Sequence, residues 1–146
     1  MPKKLPRIIR YKVNGLALGA LGEAQVHLGD VSAAAKLIIE SLGMSRDVNE
    51  LEGTAVRLTQ LSTVFQAIGH NEFAVHLLGN VSNLMNNGNQ LAREMNMARY
   101  NKVLDKAREQ LSANAFAASW NAGKIMKPEQ AVEYALSYAK FVANRL

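Results

Sequence analysis

His70, Glu72 and His76 fall within seven residues of one another and carry the side chains that bind transition metals or shuttle protons. On a helix, Glu72 and His76 are four apart and share a face. Metalloproteases of the His-Glu-x-x-His kind place the glutamate directly after the first histidine, on a helix that carries both histidines four apart. Here the spacing is different and no third strong ligand lies nearby. These residues therefore read as turn or surface positions, and no metal is assigned. His27 precedes the Leu28-Gly29 pair and reads as a capping or exposed residue. The chain has no cysteine, which excludes disulfides, thiolate zinc sites and thiol nucleophiles. Gly15, Gly19 and Gly22 suggest a phosphate loop only superficially. No strand precedes them, and no Gly-Lys-Ser or Gly-Lys-Thr follows. No group of residues meets the geometric needs of an active site, so the expectation is a protein without catalysis or cofactor.

The remaining chemistry is that of recognition. Phe116 and Trp120 are four apart on a short amphipathic segment. They either close the end of a core or anchor a partner, and Tyr134 and Tyr138 pose the same choice one segment later. The net charge of +5 is concentrated in Lys3, Lys4, Arg7, Arg10 and Lys12, leaving twelve positives against twelve negatives in the body. A nucleic-acid-binding domain carries its basic excess on a folded face. An excess confined to residues 1–13 reads as a solvated tail, able at most to attract phosphates or an anionic surface weakly. No apolar run approaches the roughly 20 residues that span a membrane, and no secretory signal is visible at the N-terminus. A cytoplasmic protein is expected.

With 146 residues, 49% of them apolar and three of them proline, the chain suits one helical domain, over residues 14–146. The periodicity is helical throughout. Leu21, Ala24 and Leu28 share a face that ends at Gly29. Asp30 is a good N-cap for a second helix bearing Val31, Ala34, Ala35, Ile38 and Leu42 and stopping at Gly43. Met44-Ser45-Arg46 reads as a polar link, and Asp47 with Glu50 has capping-box spacing. Leu51, Ala55, Leu58, Leu61, Phe65 and Ile68 form the third stripe, closed by Gly69. Phe73, Ala74, Leu77, Leu78, Val81, Leu84 and Met85 form the fourth, before the break at residues 86–89. A long fifth helix, a short sixth capped by Ser112, and a seventh with Pro128 in its first turn complete the set.

Aligning Gly29 with Gly69 aligns Leu21 with Leu61, Gly22 with Ser62 and Ala34 with Ala74, an offset of 40 residues. Each unit is a helix, a glycine-ended turn and a helix, the pattern of hairpins that stack in series. These positions resemble the tetratricopeptide repeat, in which a Leu-Gly pair and a small residue let two helices approach closely. Phe65 also matches the aromatic position of that repeat, where the first unit has Gln25. Leu77-Leu78-Gly79, Phe116-Ala117-Ala118-Ser119-Trp120 and Gly123 resemble the C-terminal array of bacterial LuxR-type or SARP-type signalling ATPase regulators. The resemblance covers roughly residues 16–140 and says nothing of an attached effector.

It implies an all-α, TPR-like α-solenoid of about seven helices in antiparallel hairpins, with a C-terminal capping helix pair. It also implies a non-catalytic module that binds a protein or peptide in bacterial signalling or transcription control. In such arrays, asparagines on the concave face often grip extended peptides, a role open to Asn80, Asn83 and Asn87, which otherwise form a solvated face. The rival readings are nucleic-acid association through the basic tail and small-ligand sensing between helices. A homodimer is the expected oligomer.

Overall fold

The computed structural model describes residues 17, 20–22, 24–47, 51–85 and 90–145, and among them there is no strand. A first helical segment, α1, includes residues 20–22 and 24–27. It is followed by α2 (Val31–Asp47), α3 (Leu51–Ala67), α4 (Asn71–Leu84), α5 (Gln90–Gln110), α6 (Ala113–Lys124) and α7 (Pro128–Ala143). The expected basic tail, residues 1–13, lies outside the described residues.

The α1–α2 and α3–α4 turns are built alike. Gly29 and Gly69 have φ of 84° and 90°, a conformation that costs glycine nothing. The amide of Gly29 donates to Val26 and that of Asp30 to Gln25. Forty residues on, Gly69 donates to Gln66 and His70 to Phe65. This is the double hydrogen bond that closes a helix through a left-handed glycine. Asp30 then caps α2, its Oδ1 accepting from the Ala33 amide at 3.0 Å.

The correspondence extends to the small residues. A Cβ on Gly22 would lie 2.6 Å from Ile38 Cγ1 and 3.3 Å from the Ala34 carbonyl oxygen. At the equivalent position, Ser62 Oγ lies 3.3 Å from the Ala74 carbonyl oxygen and 2.9 Å from that of Leu58, between which its one proton is shared. Ala34 and Ala74 are both fully buried. Leu61 is also fully buried, but Leu21, expected to pack like it, is 53% exposed. Leu61 sits in α3, which is flanked by α2, α4 and α5.

The centre of the fold is α4, which packs on α3, α5, α6 and α7. Every residue from Phe73 to Val81 is buried, so this helix is enclosed all round rather than along one stripe. Its largest contact is with α6. There the backbones themselves touch: a Cβ on Gly79 would collide with the Trp120 carbonyl, and one on Gly123 with the His76 carbonyl.

Two expectations about the helices are corrected. Gly43 does not end α2, which continues to Asp47. Ser41, Leu42 and Ser45 are buried beyond the point where it was expected to stop, and Arg46 reaches Glu133 of α7 at 2.9 Å, so tertiary packing overrides the local glycine signal. Nor do α6 and α7 form a capping pair. α6 lies along α4, whereas α7 packs mainly back on α2. Other local signals hold: Ser112 caps α6 by accepting from the Ala115 amide at 3.1 Å, and Pro128 opens α7.

The glycines give an opposed pair of predictions. Gly123→Ala should destabilise the fold by about 3 kcal/mol, because backbone cannot retreat as a side-chain end can. Gly43→Ala, with nothing within 4 Å of the added carbon, should stabilise it by about 0.5–1 kcal/mol. Urea unfolding followed by circular dichroism measures both, and equal effects would contradict the assigned packing.

Candidate binding site

A cleft of about 370 Å³ is lined by α1, α3 and α5 together, a size within the range of ligand pockets. Val26 and His27 come from α1. Gln60, Thr63, Val64, Gln66 and Ala67 come from α3, and Arg99, Lys102, Val103 and Lys106 from α5. Two buried amides hold α5 in place beside α3. Gln66 Nε2 donates to the Val103 carbonyl at 2.8 Å, and Asn96 Nδ2 donates to Thr59 Oγ1 at 3.1 Å. With Val103, Leu104 and Ala107 buried, helical geometry sends Arg99, Lys102 and Lys106 along one edge, at i, i+3 and i+7. Val64 and Val103 are buried and Val26 is half-buried, so the cleft has an apolar floor beside a cationic wall. No carboxylate appears among the described lining residues.

The asparagines singled out from the sequence lie elsewhere and are engaged within the fold. Asn80 is fully buried, and its Nδ2 donates to the carbonyls of Gly123 at 3.0 Å and Met126 at 2.9 Å. Asn83 is exposed and donates to the Lys124 carbonyl at 2.8 Å. Both serve the carbonyl end of α6, which a helix leaves without internal partners. Asn80 is thus part of the α4–α6 joint and not of an open peptide-binding face. Asn87 lies outside the described residues.

Phe116 and Trp120 are half-buried and their rings run parallel, 6.4 Å apart. Trp120 meets Tyr100 edge-on at 6.3 Å, and the Arg108 guanidinium lies 4.9 Å above Phe116. These contacts tie the outer side of α6 to α5.

The two histidines go separate ways. His70 Nδ1 is hydrogen-bonded to Tyr138 Oη at 2.6 Å, which fixes the α3–α4 turn to α7. His76 is buried instead of lying at a turn or on the surface. Its ring stacks on Tyr134 at 4.2 Å, and Nε2 lies 3.3 Å from Met126 Sδ. Among the described residues, no group of three or more histidines and carboxylates is placed to hold a metal ion. Also among them, no helix is long and apolar enough to cross a membrane.

The cleft residues escaped the sequence reading because net charge is a sum. The body is neutral overall, yet Asp105 is paired with Arg108 at 3.2 Å, while Lys102 and Lys106 share the cleft edge. The i, i+3, i+7 spacing of Arg99, Lys102 and Lys106 was the available signal. Comparison with protein-family models, with curated proteins and with solved structures gave no match.

Burial lowers the pKa of His76 from its ordinary value, since desolvation disfavours the imidazolium. The unfolded chain then takes up the proton more readily than the folded one. The contribution of neutral His76 should be complete above about pH 6.5, the unfolded histidine value, and should fade as the pH drops below it. His76→Gln should flatten this part of the acid dependence in unfolding curves recorded from pH 7.5 to 5. An unchanged acid slope would show that His76 does not drive it.

Proposed function

We propose that the chain is a non-catalytic recognition module of the helical-repeat kind, with a polypeptide partner seated in the cleft of α1, α3 and α5. The observation that carries this reading is the cleft itself, shared by three successive odd-numbered helices. The supporting evidence is the matched pair of hairpins, with the same glycine turn and the same close approach at Gly22 and Ser62. Those features are TPR-like, and the resemblance to arrays of bacterial signalling regulators suggests a setting in signalling or transcription control. The return of α7 onto α2 would make this a compact variant of such an array, with the side opposite the cleft sealed.

A small-ligand sensor is the second reading, favoured by the limited volume of the cleft. Nucleic-acid association would depend on Lys3, Lys4, Arg7, Arg10 and Lys12, which lie outside the described residues.

Selection from a random peptide library on the full chain tests the principal reading. Ala67 is exposed and lines the cleft, so Ala67→Trp should fill the cleft without disturbing the core. The variant should weaken the selected peptides by about tenfold, equivalent to about 1.4 kcal/mol, while its circular dichroism stays unchanged. Peptides that bind the variant and the parent equally would count against the cleft as the site.

A further inference from the structure

Building on that reading of the cleft, we propose that the cleft also takes a small amphipathic carboxylic acid, its apolar body on the valine floor and its carboxylate between Lys102 and Lys106. Lys102 and Lys106 lie one helical turn apart on α5 and are both exposed. Like charges at this spacing repel, and neither lysine is in an ion pair or hydrogen bond with another described residue. A single carboxylate between them would relieve that repulsion. Val26, half-buried, and Ala67, exposed, provide the apolar surface over the buried Val64 and Val103, and a compact inorganic anion would leave it unused.

The last turns of α1 and α3 fix the orientation. Val26 and His27 close α1, and Gln66 and Ala67 close α3. Helix C-termini carry partial negative charge, so the acidic head belongs on the α5 side and the hydrocarbon body toward α1 and α3. The same field disfavours polyphosphates, for which the lining supplies no glycine loop and no helix N-terminus. An acid in this position would compete with a polypeptide partner for the floor and so regulate its binding.

Calorimetric titration of the full chain with octanoate, octanol and octylammonium tests this. Octanoate should bind with one-to-one stoichiometry, about tenfold tighter than octanol, and weaken as salt is added. Octylammonium should not bind. The double substitution Lys102→Glu, Lys106→Glu should lose octanoate and gain octylammonium. Lys102→Gln with Lys106→Gln should lose octanoate alone. Both positions are exposed, both double variants keep good helix formers, and circular dichroism verifies the fold.

Octanol binding as tightly as octanoate, or octanoate binding retained in both double variants, would overturn the proposal. So would capture of a capped leucine-aspartate peptide with no binding of octanoate, a result that leaves the cleft itself in place as the site. If Ala67→Trp affects neither octanoate nor the selected peptides, the reading of the cleft fails along with the acid.

Discussion

Two carbonyls, those of His76 and Trp120, occupy the space where Gly123 and Gly79 would otherwise carry a side chain. This contact between the backbones of α4 and α6 sets the rest of the architecture. It brings the α6 C-terminus within reach of Asn80 and Asn83, which satisfy its carbonyls. It also completes the enclosure of α4, so that a helix with His76 and Asn80 on its rear face is buried from Phe73 to Val81. Burying a polar side chain is costly unless its hydrogen bonds are replaced; the end of α6 engages the Nδ2 of Asn80, while its Oδ1 is buried without a partner. Close approach and amide capping are therefore one device. Without the glycines the carbonyls would be out of reach, and the amides add to the backbone bond that Met126 already makes to the Gly123 carbonyl.

The matched hairpins show how far a repeat can be followed before packing takes over. Turn, cap position and small-residue contact correspond in α1–α2 and α3–α4. The next two helices do not repeat them. α5 packs mainly on α3 and α4, and touches α6 only slightly, because α6 is drawn onto α4. The chain then returns to α2, where Glu133 meets Arg46. That ion pair is exposed and contributes at most about 1 kcal/mol. The buried Ala131, Val132, Ala135, Leu136 and Ala139 of α7 carry the association instead. Among the described residues, the face left free by these choices is the one with the cleft.

Much of this was legible in the residues. The apolar stripe of α2 turns inward as its spacing indicates, with Ala34, Ala35, Ile38 and Leu42 buried, whereas α3 and α4 are buried well beyond their stripes; Asp30, Ser112 and Pro128 mark helix starts through local chemistry that tertiary contacts do not alter. Gly29 and Gly69 were legible as turns for the same reason. Gly43, Gly79 and Gly123 were not, because a glycine that ends a helix and one that admits a neighbouring backbone look identical in a sequence. Asn80 and Asn83 misled in a related way. Their spacing revealed a shared face, but only the fold shows that the end of α6 buries Asn80 and engages the exposed Asn83. Lys102 and Lys106 were hidden by acids such as Asp105, which cancels charge in a sum but is paired with Arg108 in space.

If α4 is the enclosed centre, clamped by α6 while the cleft face stays open, local opening should be graded accordingly. Amide hydrogen exchange read by mass spectrometry on the full chain measures this residue range by residue range. Segments covering Phe73–Val81, together with the part of α6 around Gly123, should exchange slowest, and only through global unfolding. Exchange in α4 as fast as in α2 or α7 would contradict the account.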